Sequence, residues 1–498
     1  MGALKKIPFF LLLLVVFFCL HGSVENYAFI DPVEVMMIGG VIILGEALLL
    51  LLIFFIARNL VFASLVTFFI SLWYLFFGAI QDWIKSRSLL SFLHSYSVLL
   101  PLLLVGTVLW VIFLRRNKNA RPRLVLYLNI LLLVYCIIDA SLLTIRYLNS
   151  PKKQGVQVAF DISKVKEKPD VYFLLFDEYP GYKSLQDSFA YRNDSIYDFF
   201  REKGFQLLPV HSNYNYTPFS MSSIFNMQYV DSGYDHSLLT QQDIQQRIYE
   251  IRYGEVFSLF KQMGYRVENY SIFDIGDQGS IASKNSIFPV HGQLLTDKLL
   301  HNRLLKDIGW WFATGRFQVP FIRRHYLYRI DDNNRDAERL LRESLGKKAA
   351  GPRFSYAHFL MPHGPFFRDS AGNLRKDKTI AQIYDFKDKP AFLDNIKYSN
   401  TVIRSLVNKI IDHDTTAVVV VMSDHGFHGY NGNSSYNALN FDNICALRLP
   451  GGHFIPYRDK GTTVNFFRYL FNCEFGQQMP YLKDSTIWVN DSVPLRLF

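Results

Sequence analysis

Between residues 7 and 147 the chain is divided into five apolar runs, at about 7–20, 33–57, 60–80, 98–114 and 124–147. A helix needs about 20 apolar residues to cross the hydrocarbon of a bilayer. Only a structure that bonds its own backbone internally can remain there. The runs therefore predict a bundle of about five transmembrane helices over 1–148. The first run is short and follows Lys5 and Lys6, as the apolar core of a signal peptide would. The His21-Gly22-Ser23-Val24 that follows it offers no good small-residue cleavage site, which favours an uncleaved anchor.

Charge placement then sets the orientation. A net charge of +10 could point to nucleic acid. However, Arg115, Arg116, Lys118, Arg121 and Arg123 are gathered between two apolar runs, which is the positive-inside pattern of a membrane protein. No nucleic acid is expected as a partner. With the N-terminus inside, Arg58 is inside, Lys85 and Arg87 are outside, and the five-charge cluster is inside. Everything after residue 148 then emerges on the outer face. Glu46 and Asp139 fall at membrane depth, where an ionisable group is costly; helix packing is the plainer reading, contact with a lipid headgroup the other. Four cysteines are too few for a disulfide scaffold. Cys19 and Cys136 lie in apolar runs, and Cys445 and Cys473 are left as a pair that little favours.

A length of 498 residues suggests roughly two to four domains. Past a polar linker at 149–169 the composition becomes that of a soluble domain, 170–498. Val171-Tyr172-Phe173-Leu174-Leu175-Phe176 has strand character and ends in Asp177-Glu178. Side chains alternate faces along a strand, so Asp177 and Glu178 are not expected to face one site together. A helical stretch near 184–203 closes at Gly204, and 205–210 returns as a strand. A second helix–glycine–strand unit follows at 256–267. Repeated units of this kind predict an α/β fold with a mostly parallel sheet between helices. Residues 291–350 read as a helical insertion, and 354–360 as a strand that ends in Met361-Pro362-His363-Gly364-Pro365.

The four valines 418–421 read as a strand buried on both faces. The run breaks into Met422-Ser423-Asp424-His425-Gly426, and in an open parallel sheet ligands bind at the carboxyl ends of strands. Asp424 and His425 there offer a hard oxygen and an imidazole nitrogen, a donor set suited to zinc or manganese. The plainer reading is a solvated strand–loop junction. Thr217, with Pro218 directly after it, reads as a helix N-cap or the residue just ahead of one. Its chemical reading is a hydroxyl nucleophile supported by a metal and a helix N-terminus.

Taken in order, Asp177, the run Asn215-Tyr216-Thr217-Pro218-Phe219-Ser220, Pro362-His363-Gly364-Pro365 and Ser423-Asp424-His425-Gly426 resemble the sulfatase-like branch of the alkaline phosphatase superfamily. The resemblance covers about 170–490. Lipoteichoic acid synthases and the phosphoethanolamine transferases that modify lipid A, which are membrane-anchored members, share the architecture. The resemblance implies that Asp177, Thr217, Asp424 and His425 bind one divalent ion, that Thr217 is the nucleophile, and that His363 contacts the transferred group. Members carry Asp or Glu at the first position, so Glu178 is a lesser alternative to Asp177. His428 and His453 are available to a second metal, with a looser match.

Sulfatases of the superfamily use a formylglycine made from Cys or Ser in a Cys/Ser-x-Pro-x-Arg motif. Thr217 cannot become formylglycine. What the resemblance implies is transfer of a phospho-substituent, of phosphoethanolamine or phosphoglycerol type, from a membrane phospholipid to a cell-surface glycan or glycolipid. Hydrolysis of a phosphodiester or sulfate ester is the alternative, and a non-catalytic scaffold a third. The soluble domain is placed on the periplasmic or extracellular side of the cell membrane, the inner one in a Gram-negative cell.

Overall fold

The structure, a computed structural model, describes residues 7–27, 30–87, 91–149, 159–230, 239–284, 292–314, 319–347, 350–375, 380–427, 437–451, 454–457 and 461–490. The chain divides into two compact units, one of Met1–Lys153 with Ile287–Arg323, the other of Gln154–Ser286 with Arg324–Phe498.

The first unit holds five apolar helices: α1 (Phe9–Glu25), α2 (Pro32–Ala57), α3 (Leu60–Lys85), α4 (Tyr96–Arg116) and α5 (Arg121–Asn149). By length and composition α2 to α5 can each cross a membrane, while α1 has only 17 residues. Local sequence sets the ends. Asp31 accepts from Val33 N with Pro32 at the first helical position, and Asn59 caps α3 by accepting from Phe62 N at 2.8 Å. Several polar groups inside the bundle are paired, while Glu46 Oε1 and Thr67 Oγ1 have no hydrogen-bond partner among the described residues. Asn129 accepts from Phe10 N and donates to Ile7 O, and Asp139 lies 3.2 Å from His21.

The part of this unit drawn from the insertion is built against α1 and α3. Leu295 and Leu299 are buried in one cluster with Phe10, Leu14 and Leu75. Gly78 N donates to Lys298 O at 2.8 Å, and a Cβ at Gly78 would stand 2.8 Å from Lys298 Cα. That distance leaves no room for a side chain. Gly78→Leu is expected to detach 292–314 and make it a target of limited proteolysis. Wild-type cleavage rates in the variant would show that the close approach is dispensable.

The second unit is layered around one six-stranded sheet. Its strands are β1 (Val171–Phe176), β2 (Gln206–Leu207), β4 (Arg266–Tyr270), β5 (Arg353–Phe359), β6 (Val418–Met422) and β7 (Cys445–Arg448); β3 (Val210–His211) and β8 (Gly461–Thr462) pair separately. The order is β2-β7-β6-β1-β5-β4, parallel across β6-β1-β5-β4 and antiparallel at the β7 and β2 edge. The expected strand 205–210 is split here because Pro209 has no N–H to give a ladder. Alternation sorts the apolar residues into two cores. Phe173, Leu175, Tyr356, Val418, Val420 and Met422 enter one; Leu174, Phe176, Phe359, Val419 and Val421 enter the other. Both faces of the sheet are thus dry, as the valine run requires.

The helical stretch near 184–203 is two helices, Tyr182–Phe189 and Asp194–Glu202, broken where Ala190 takes a positive φ of 50°. Part of the expected linker is docked: the Phe160 ring packs edge-on to Phe471, and Asp161 N donates to Gln477 Oε1. Cys445 and Cys473 are both buried free thiols.

Candidate active site

β6, β1 and β5 are neighbours in the sheet, so their carboxyl ends deliver Asp424-His425, Asp177-Glu178 and His363 to one edge. Backbone bonds knit these ends together. Asp177 N donates to Phe359 O at 2.9 Å, and His363 N donates to Asp177 O at 3.2 Å. Tyr179 N donates to Ser423 Oγ, whose hydroxyl donates to His425 O.

Helix Thr217–Asn226 brings the hydroxyl. Thr217 is its first residue and follows the N-cap Tyr216, whose side chain makes no capping hydrogen bond. Its Oγ1 lies 3.1 Å from His425 Nε2 instead. One turn on, Ser220 Oγ donates to Asp424 O at 2.6 Å and ties this helix to the loop after β6. His425 Nδ1 donates to Gly426 O at 2.9 Å, so Nε2 is left as the acceptor facing Thr217.

Donor atoms of Asp177, Asp424 and His425 lie within 4.8 Å of one another, and all three residues are buried. His425 Nε2 stands 3.6 Å from Asp177 Oδ1 and 3.3 Å from Asp424 Oδ2. Among the described residues these two oxygens have no hydrogen-bond partner. Burial pushes the Asp424 carboxyl up, and Asp177 beside it pushes it further. Burial also pulls Asp177 up, yet His363, His358 and His425 hold it below its ordinary range. Two adjoining buried carboxylates with orphaned oxygens and an imidazole are a set that a divalent cation would satisfy. The residues present fit such an ion.

Asp177, Thr217, Asp424 and His425 are thus brought together. Glu178 takes a second position. β1 ends at Phe176, alternation stops there, and Glu178 turns back with a positive φ of 62°. Its carboxylate lies 3.8 Å from His363 Nε2, and its N–H donates to Asp424 Oδ1 at 3.3 Å. The expectation that Asp177 and Glu178 cannot flank one site fails for that reason. The His363 Nδ1 faces Gly364 O. Burial lowers the His363 pKa, but Glu178 and Asp177 raise it more, to about 9. His428 and His453 lie outside the described residues.

Sequence reasoning missed His358. It is fully buried on β5, its Nδ1 is 2.9 Å from Tyr356 Oη, and its Nε2 lies 3.8 Å from Asp177 Oδ2. The signal was available, since alternation puts Tyr356 and His358 on one face of a strand otherwise apolar toward its end.

Gly426 completes the loop by backbone contact. A Cβ there would stand 2.1 Å from Leu439 O and 2.6 Å from Asp442 O. Gly426→Ala is expected to cost about 1–3 kcal/mol, the range of overpacked sites, and to displace His425. Thermal unfolding checks the first effect; unchanged stability would show that the loop yields freely.

The sequence matches the Sulfatase family profile over residues 174–469. The chain belongs to the sulfatase family, within the sulfatase-like branch of the alkaline phosphatase superfamily, and is an enzyme of that superfamily. No curated protein matches the sequence. Among solved structures, the C-terminal periplasmic domain of EcEptC from Escherichia coli is similar, at 11% identity and a TM-score of 0.42, over 68% of this chain and 94% of that one. The phosphonate monoester hydrolase of Agrobacterium radiobacter is also similar, at 13% identity and a TM-score of 0.38, over 64% of this chain and 76% of that one.

Proposed function

We propose that this enzyme transfers a phospho-substituent, of phosphoethanolamine or phosphoglycerol type, from a membrane phospholipid to a glycan or glycolipid at the cell surface, with Thr217 as nucleophile. The observation that carries the reading is the Thr217 hydroxyl, one residue past the N-cap Tyr216 and held 3.1 Å from His425 beside two carboxylates that each keep one unpartnered oxygen.

One divalent ion, zinc or manganese in preference to magnesium given the imidazole among the donors, would be held by Asp177, Asp424, His425 and Thr217 and would supply positive charge that lowers the Thr hydroxyl pKa. The protein's own groups do the rest. Thr217 Oγ1, its proton already released to solvent, forms a bond to the donor's phosphorus as the bond to the diacylglycerol oxygen breaks. His363, kept cationic by Glu178, holds at Nε2 a proton for that leaving oxygen. The acceptor's hydroxyl gives its proton to the now neutral His363 Nε2 and displaces Thr217 from phosphorus, and Thr217 leaves as the alkoxide it began as. Most of the catalytic effect in such a transfer is positioning and charge stabilisation, and buried groups on three strand ends and one helix end supply both.

Intact-mass analysis after incubation with total membrane lipid tests the reading. A mass increase at Thr217 that is lost on adding acceptor supports transfer. Loss of the adduct in water alone would mark a hydrolase, and no adduct with any phospholipid would overturn the proposal.

The basic cluster between α4 and α5 supports an outward-facing position of the second unit. A reporter fused within 116–122 should be active only in the cytoplasm and one fused after 150 only beyond it; the reverse pattern would sink the topology.

A further inference from the structure

The insertion carries a feature that the transfer reaction does not use. Helix Leu300–Thr314 starts where α3 ends and α4 begins. Near the end of α3, Asp82 accepts from Arg303 Nη1 and Nη2 at 3.0 and 2.7 Å and from Lys298 Nζ at 3.2 Å. At the first residue of α4, Tyr96 Oη donates to Arg303 O at 2.9 Å and to Asp307 Oδ2 at 2.7 Å. A charge network of this size cannot sit in hydrocarbon, so it marks the level of the headgroups.

From that level the helix presents apolar side chains outward. Leu305 is 59% exposed, Trp311 50% and Ile308 37%, and spacings of three residues place them along one side. Phe321, further along the same unit, is 81% exposed. Trp83, at the α3 end beside Asp82, is exposed as well. A water-facing helix has no use for this many large apolar groups together. Tryptophan at the end of a span suits the zone where a bilayer meets water. Lys306, exposed on the same helix, adds positive charge that complements anionic headgroups.

We propose that helix Leu300–Thr314 lies in the outer interface of the bilayer with Leu305, Ile308 and Trp311 in lipid, as a membrane-docking element inserted into the sequence of the soluble domain. The same compact unit carries exposed apolar side chains on its spans, such as Leu102 and Leu109 of α4. A helix built into one unit with the spans, and tied to the ends of α3 and α4, favours lipid over a second copy of the chain. The inference rests on the membrane reading of α1–α5 and is independent of the chemistry at Thr217.

The test uses the full chain in nanodiscs of phosphatidylcholine and phosphatidylglycerol, with lipids brominated either near the glycerol or near the chain end. The Trp311 signal is taken as the difference between wild type and Trp311→Phe, a change at an exposed position that the fold should accept. Trp110→Phe gives the same measure for a residue within α4. Loss of most Trp311 emission with shallow bromine, and less with deep bromine, is the expected result. Trp311 left unquenched while Trp110 is quenched would overturn the docking alone. If neither is quenched, the membrane reading beneath it falls too. Trp311 emission that depends on protein concentration rather than on bromine would assign the face to a second copy and overturn the lipid proposal.

Discussion

Thr217→Ala is expected to abolish turnover and the covalent adduct together. The loss should be roughly ten-thousandfold or more, as when a covalent nucleophile is removed and only binding and charge stabilisation remain. The structure sharpens this beyond what the sequence allowed. A capping threonine replaced by alanine costs about 0.5–2 kcal/mol, but the cap position here is Tyr216 and Thr217 is the residue after it. The change should therefore leave the melting temperature nearly where it was. Activity and stability are expected to separate. Thr217→Ser keeps the oxygen 3.1 Å from His425 and should retain part of the activity and form the adduct. Alanine turning over at the wild-type rate would remove Thr217 from the mechanism, and the transferase reading would fall with it.

The fold was legible where burial leaves its mark directly on composition. Val171–Phe176 and Val418–Met422 are apolar at every position because both faces of the sheet are covered. The break from Met422 into Ser423-Asp424-His425-Gly426 marks in the sequence itself the edge where these side chains gather. The metal-type cluster of Asp177, Asp424 and His425, with Thr217, could be gathered from three distant segments because each sits at a strand or helix end, where a polar residue has no packing role.

What was not legible depends on backbone geometry or on distant partners. Glu178 reaches His363 through a left-handed turn that strand alternation cannot anticipate. His358 is hidden within a strand, and only its register beside Leu175 brings it near Asp177. The insertion was visible as helical, yet its partners could not be read. Asp82 and Arg303 are 221 residues apart, and no local pattern links them. The glycines follow the same rule. Gly426 and Gly78 are demanded by backbone brought close from elsewhere, which sequence alone does not show.

Asp424→Asn and His425→Ala are expected to empty the metal site while keeping the fold. Asp424 is fully buried, with one carboxylate oxygen unpartnered and Asp177 close by. Without a cation those two carboxylates repel, so the neutral amide relieves strain in the metal-free protein. The metal-free Asn variant should then melt at or above the metal-free wild type. With metal the order reverses. A ligand that binds only the folded state stabilises it by about 2.7 kcal/mol at a hundredfold excess over its dissociation constant. Wild type should gain this on titration with zinc or manganese, and each variant should gain little. A chelator should return wild type to its metal-free midpoint. Elemental analysis gives the second readout, with near-stoichiometric metal in wild type and a small fraction of it in either variant. Full metal content in both variants, with an undiminished shift on titration, would place the ion elsewhere and remove the carboxylate pair from the mechanism.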